Sequence, residues 1–172
     1  MTSTLSEAQF AEAAGRATTA EAGFAALHEL ARALGPARLF TVTFSDIEAG
    51  LAQRAYTSDA VHYPVSGTKP INPDAYFQQT QVARKTYVNN DITTDTEHFT
   101  DYALIGRLGC GAAFNMPVVL SDVVRGTVNI LDATGSYTPE VVARMEAGLR
   151  IPAMLAFALA AAEQIRPHRS RI

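Results

Sequence analysis

The stretch Gly109–Leu131, GCGAAFNMPVVLSDVVRGTVNIL, holds two apolar runs rich in β-branched residues on either side of Ser121-Asp122. No proline follows Pro117 within it. Such a pattern reads as two adjacent antiparallel strands joined by a two-residue turn. With Ser121 and Asp122 as the turn, Leu120 faces Val123, Met116 faces Thr127 and Phe114 faces Asn129. In this register Asn115 faces Val128, so Asn115 and Asn129 point to opposite sides of the sheet and at most one of them reaches any one site. Apolar residues fall on both faces of the hairpin, which predicts a sheet covered on both sides with this hairpin at its centre.

The surrounding chain is ordinary in composition. Of its 172 residues 48% are hydrophobic and 18% charged, which excludes wholesale disorder and fits one domain. A net charge of -3 supplies no field for nucleic acid or an anionic membrane. The N-terminal residues, with Glu7 and Glu12, lack the basic start and apolar core of a signal peptide. The most apolar window, Ile151 to Ala162, contains Pro152 and is shorter than the roughly 20 residues a bilayer requires, so a cytoplasmic chain is expected. A single cysteine, Cys110, rules out an internal disulfide and a Cys-based metal cluster.

Outward from the hairpin, helix and strand signals alternate. Ser6 is placed to cap a short helix ended by Gly15, and Thr18 or Thr19 to start a second, with Glu21 in its first turn. Phe24, Leu27, Leu30, Ala31 and Leu34 recur at helical spacing before Gly35-Pro36 stops the helix. Leu39 to Ser45 alternates apolar and polar residues as a half-buried strand does, and Leu51 to Ser58 reads as its hairpin partner. Asp59 to Pro73 is a loop punctuated by Pro64, Gly67, Pro70 and Pro73. A helix over Asp74–Ala83 and a short strand over Thr86–Ile92 follow. Thr94-Asp95-Thr96-Glu97 has the spacing of a capping box, predicting a helix that carries Phe99, Tyr102, Ile105 and Leu108 and ends at Gly109. After the central hairpin, Thr138-Pro139 starts a last helix, with a Tyr137–Val142 staple and a kink near Pro152, to about Ile165.

This order of elements, together with LGCGAAFNMPV over 108–118 and RGTVNIL over 125–131, resembles a GAF domain. Gly126-Thr127-Val128-Asn129-Ile130 matches that family's recurrent G-x-L-N-L element, while Asp122 stands where many members have glycine. The resemblance covers roughly Thr19 to Ile165, leaving 1–18 as a helical extension and 166–172 as a basic tail of one domain, 1–172. It implies an α+β, profilin-like antiparallel sheet. Terminal helices would lie on one face and often pair two chains; loop helices would enclose a ligand pocket on the other. The Ala-rich closing helix suits a homodimer contact.

A pocket of that kind takes apolar walls and a few convergent polar groups. The segments expected to line it supply Tyr56, Tyr63, Tyr76, Phe77, Tyr87, Asp91, His98, Phe99, Tyr102, Phe114, Asn115 and Met116. Tyr102 is singled out, because a buried tyrosine offers an apolar body with a polar tip. Asn115 is weighed evenly between ligand and backbone contact, and Asn129 is read as a structural hydrogen-bonding residue. Asp91 and Asp95 can equally be turn or cap residues. His28 and His98 are read as surface or packing residues first, and Cys110, between two glycines, as a small buried residue before a reactive thiol. His28, His62, His98 and His168 show no metal-ligand spacing, and no catalytic triad, P-loop or dinucleotide fingerprint occurs. No catalytic residue, metal or cofactor is therefore assigned.

The expected function is a stand-alone small-molecule-binding sensor, regulatory or signalling, with an unidentified ligand between sheet and loop helices. Output would pass through a partner or through binding itself, without nucleic acid or membrane. The alternative is a single-domain enzyme resembling the free methionine-(R)-sulfoxide reductases, with Cys110 served by an external thiol. A tetrapyrrole carrier ranks last, since Gly111 stands where such domains usually place a histidine after the anchoring cysteine.

Overall fold

A computed structural model describes residues 7–65 and 67–165. The expected cap at Ser6 and the basic tail lie outside the described residues. Helices α1 (Glu7–Arg16) and α2 (Ala20–Leu34) come first, α1 running through Gly15. Thr19 caps α2 by accepting from the Ala22 amide at 3.2 Å. Strands β1 (Leu39–Asp46), β2 (Leu51–Thr57) and β3 (Thr68–Pro70) follow, the last lying inside the stretch expected to be loop. Then come α3 (Ala75–Phe77), continued by a π-helical turn Gln78–Val82, and β4 (Tyr87–Asn89). A single 3-10 turn Ile92–Thr94, α4 (Tyr102–Arg107), β5 (Ala112–Leu120), β6 (Val123–Asp132) and α5 (Pro139–Ile165) complete the order.

The six strands form one antiparallel sheet in the order β3-β2-β1-β6-β5-β4. Hairpin β5–β6 forms as expected, and its turn residues Ser121 and Asp122 both have positive φ, 53° and 62°. Two successive left-handed residues make the turn that matches strand twist. Arg84 anchors the turn through the Asp122 carboxylate and the Asp122 carbonyl.

The register beyond that turn is corrected. Val119 pairs with Val124 but Val118 pairs with Gly126, so Arg125 is an extra residue, a β-bulge in β6. Every earlier pairing moves by one: Met116 faces Val128, Phe114 faces Ile130 and Asn115 faces Asn129. The two asparagines therefore share a face of the sheet. The sequence carried a sign of this, because a glycine inside a strand pattern, here Gly126, marks a bulge or a close backbone approach. A second bulge in β2 sets Tyr56 against Val42 and Arg54 against Thr43, and places Arg54 on the same side as Thr43.

Helices α1, α2 and α5 cover one face. Phe24, Leu27, Leu30 and Ala31 of α2 pack with Phe40, Val42, Phe114, Met116, Val128 and Ile130 of the sheet and with Met145, Leu149, Ala153 and Phe157 of α5. His28 belongs to this layer, stacked on Phe40 at 5.1 Å, and burial holds its pKa below the usual histidine value. Tyr137 and Val142 both pack on this core, as the staple requires, and α5 continues through Pro152. The expectation of a short apolar window in α5 is corrected. Pro139–Glu163, 25 residues, is long and apolar enough by length and composition to cross a membrane, with 44% of that window buried inside the protein.

The other face carries the loop segments. Ile92, Phe99, Ile105 and Cys110 pack there on Leu39, Ala113 and Leu131. The capping box does not form: Asp91, not Thr94, caps the 3-10 turn, and the Thr94 hydroxyl donates back to the Asp91 carbonyl at 2.7 Å. Asp95 is meanwhile held by the Tyr87 hydroxyl at 2.6 Å, so residues 95–101 form turns and α4 is short.

Gly126 sits where β6 passes close to the Thr43 carbonyl of β1. A Cβ there would lie 1.9 Å from the Thr43 carbonyl oxygen and 3.0 Å from the Phe157 ring. Gly126→Ala is expected to destabilise the fold by about 2–3 kcal/mol, the cost of overpacking a close contact. Urea denaturation midpoints would measure it, and a change under ~0.5 kcal/mol would mean that the strands part without cost.

Candidate functional site

Alternation along the central strands divides the lid-facing side of the sheet into two halves. Leu39, Leu131 and Ala113 make one end apolar. One step further along the same face stand Thr41, Asn129 and Asn115, and then Thr43 and Thr127. Short polar side chains at these positions cannot fill the space under the lid. A cavity of about 270 Å³ lies over them, roofed by Tyr76, Phe77 and Gln81 on one side and by His98, Phe99 and Asp101 on the other. Its volume falls just below the usual range of drug-sized pockets and admits only a small guest.

The roof is fastened by polar contacts between separate segments. Asp74 caps α3 by accepting from the Phe77 amide at 2.8 Å, and its other oxygen lies 3.4 Å from His98 Nδ1. The His98 ring stacks on Tyr76, with centroids 3.8 Å apart and planes 20° apart. Burial outweighs the attraction of Asp74 and keeps the His98 pKa below the ordinary histidine value. A neutral ring donating through Nδ1 leaves Nε2 as an acceptor. At the other end of the cavity Tyr63 donates to the Asp101 carboxylate at 2.6 Å. Arg54 lies over the Tyr63 ring at 3.7 Å, reaches the Pro64 carbonyl at 2.8 Å and stands 3.9 Å from Asp101. Burial and the Asp101 charge together push the Tyr63 pKa upward, so its hydroxyl stays protonated.

The floor contains polar atoms without partners. Asn129 Nδ2 donates to Thr43 Oγ1 at 3.0 Å and Thr41 Oγ1 at 3.3 Å, but its Oδ1 is buried and unpaired. Asn115, 5% exposed, also has a buried unpaired Oδ1. Gln81 reaches Ser45 Oγ through Nε2 at 3.5 Å, and its Oε1 is unpaired. Each such orphan costs about 1–3 kcal/mol, so three around one cavity are a concentrated expense. The Tyr76 hydroxyl donates weakly to Thr127 at 3.4 Å, and burial is the main cause that raises its pKa.

The residues expected to form a pocket are thus divided by the structure. Tyr63, Tyr76, Phe77, His98, Phe99 and Asn115 line the cavity. Tyr56, Phe114 and Met116 do not: the two bulges set them on the helix-covered face, in the main core. Tyr102 is corrected as well; it is 41% exposed, because α4 begins only at that residue and turns its side chain outward. Asp91 caps the 3-10 turn instead of reaching the cavity. Tyr87 stands behind Tyr76, ring to ring at 5.3 Å, and donates to Asp95; burial and this bond push its pKa to about 12. Asn129 lines the cavity together with Asn115, contrary to the expected register. Thr41, Thr43 and Ser45 were readable as the polar face of β1, whereas Arg54, Gln81 and Asp101 carry no local signal.

Cys110 is buried against Ile105 and Leu131 and does not line the cavity. Burial raises its pKa to about 11, which keeps the sulfur as a thiol at neutral pH. Among the described residues no group of three or more His, Cys, Asp or Glu could hold a metal ion.

No protein-family model matches the sequence, and no curated protein matches it. Solved structures do. The GAF domain of a phosphoenolpyruvate-protein phosphotransferase from Coxiella burnetii superposes with a TM-score of 0.66 at 15% identity, over 91% of this chain and 92% of that one. A GAF domain/HD domain protein from Geobacter sulfurreducens gives 0.65 at 15% identity, over 87% and 96%. The blue-light absorbing form of the PixJ GAF domain from Thermosynechococcus elongatus gives 0.59 at 17% identity, over 84% and 89%. Sheet order, helix placement and these superpositions agree: this chain has the GAF-domain fold.

Proposed function

We propose that the chain is a small-molecule-binding regulatory module that holds its ligand between the sheet and the lid. The observation that carries this reading is the cavity itself, floored by threonine and asparagine where a packing role would call for leucine or valine. Solved neighbours with this fold include the GAF domain of a sensor histidine kinase from Bacillus halodurans, at 12% identity, and a methyl-accepting chemotaxis protein, at 15%. Ligand closure of the roof would change how residues 69–82 and 97–101 sit on the sheet, and that is the form in which a signal would leave the site.

The cysteine-based alternative has no geometric support, since Cys110 is packed away from the cavity with its thiol protonated. Cys110→Ala is expected to leave any ligand-induced rise in Tm unchanged, and native Cys110 is expected to react with a maleimide only after unfolding. Rapid labelling of the folded protein, with loss of the ligand response in the alanine variant, would restore the thiol reading.

Filling the cavity tests the main reading. Thr43→Phe keeps a good strand residue and places a ring over the floor. Small molecules from a fragment set that raise the wild-type Tm by a few degrees, as binding to the folded state must, are expected to lose that effect in the variant. A set that stabilises both proteins alike, or neither, would remove the cavity as a ligand site.

The module is further proposed to act as a homodimer through α5. Ile151, Met154 and Leu155 are exposed on it, and Ala158, Ala161 and Ala162 continue the same stripe at helical spacing. These residues lie opposite the Leu149–Ala153–Ala156–Ala160 face that packs in the core, so α5 is apolar on two sides. The small alanines would let a second α5 approach closely. Ile151→Glu combined with Leu155→Glu is expected to halve the mass measured by light scattering while leaving the circular dichroism spectrum intact. A wild-type monomer at all concentrations would reject the dimer.

A further inference from the structure

We propose that the cavity takes a small flat heterocycle whose sheet-facing edge carries N–H donors, received by the carbonyl oxygens of Asn115, Asn129 and Gln81. The inference rests on the reading of the cavity as a ligand site and adds the chemistry of its guest. All three orphaned atoms are acceptors, and all three belong to residues that line the same cavity. Only a donor satisfies them.

The donor sides of two of the three amides are already engaged. Asn115 stands directly opposite Asn129 on the neighbouring strand, and its Oδ1 is buried and unpaired. Asn129 gives both amide hydrogens to Thr41 and Thr43 on the neighbouring strand. Gln81 gives one to Ser45, two residues beyond Thr43 on the same face of β1. Two residues of strand span about 7 Å, and directly opposed strand residues stand about 5 Å apart. The acceptors are therefore spread across and along the strands, a pattern suited to a ring with amino substituents and not to a single point charge.

The walls and the charges agree with this. Tyr76, Phe77 and Phe99 offer aromatic surface to a flat guest. Carboxylates outnumber cations around the cavity: Asp74, Glu97 and Asp101 stand against Arg54 and Lys69. Arg54 is already occupied by Tyr63, the Pro64 carbonyl and Asp101. An anion would find only exposed Lys69 at the rim, whereas a neutral or weakly basic nitrogen heterocycle meets the three unpaired acceptors.

The test uses matched rings. Calorimetric or thermal-shift titration compares diaminopyrimidine, which has donors, with dimethoxypyrimidine, which keeps the flat ring but carries acceptors only. The diamino ring is expected to bind wild type at least about tenfold more tightly, since a site built for donors is left unpaired by the other ring. Gln81→Leu, on the lid where folding is little affected, is expected to narrow that preference several-fold, and Asn115→Ala to narrow it further. Equal binding of the two rings, or preference for the dimethoxy ring, would overturn the donor assignment while leaving the cavity a ligand site. Preference for the dimethoxy ring would mean that the amides sit the other way round, accepting from the threonine hydroxyls. Failure of both rings to bind would also overturn the donor assignment; the fragment comparison with Thr43→Phe then decides separately whether the cavity binds anything.

Discussion

Between Val118 and Val119 the ladder joining β5 to β6 passes over Arg125, and that one unpaired residue determines which side chains look into the cavity. A strand has a period of two, so an added residue exchanges the faces of everything beyond it relative to the partner strand. With Arg125 bulged out to solvent, Asn115 and Asn129 are opposite each other, while Phe114, Met116, Val128 and Ile130 together face the helices. Gly126 makes the arrangement possible, because its missing side chain admits the Thr43 carbonyl of β1. The β2 bulge does the same at the cavity's end, setting Arg54 on the lid side and Tyr56 in the main core.

The two faces of the sheet then follow different rules. Toward α2 and α5 the layer is closed, with aromatic rings such as Phe24, Phe44 and Phe157 meeting edge-on or tilted within about 6 Å. Toward the lid only one end is closed, around Ile92, Phe99, Ile105 and Cys110. At the other end the floor is made of hydroxyls and amides too short to reach the roof. The space persists because the roof is held from the side: Asp74 to His98, His98 to Tyr76, and Tyr63 to Asp101 and Arg54. The roof is thus held by a few polar contacts above unpaired acceptors.

Much of the architecture was legible in the chain itself, for reasons that are local. Thr19 caps α2, Gly35 follows its last residue, and Ser121-Asp122 closes the hairpin, because caps and turns depend on residues within a few positions of one another. The core face of α2 could be read from its 3.6-residue period, and the alternation of β1 already separated Phe40, Val42 and Phe44 from Thr41, Thr43 and Ser45. Where two local signals competed, the reading failed. Thr94 and Glu97 had the spacing of a cap, but Asp91 reached the backbone first and Tyr87 took Asp95, so the helix began seven residues later than that spacing implied.

The sequence by itself determined a helix-flanked antiparallel sheet around the Gly109–Leu131 hairpin, since turn chemistry and periodicity are properties of neighbouring residues. Which polar groups share a cavity was decided only by the tertiary structure. Asn115 and Asn129 meet through a register shift that costs one residue. Gln81 with Asp74, His98, and Arg54 join them from three separate segments, brought together by the packing of a lid. No spacing along the chain encodes that convergence, because it depends on how far each loop reaches across the sheet and what it finds there to hold.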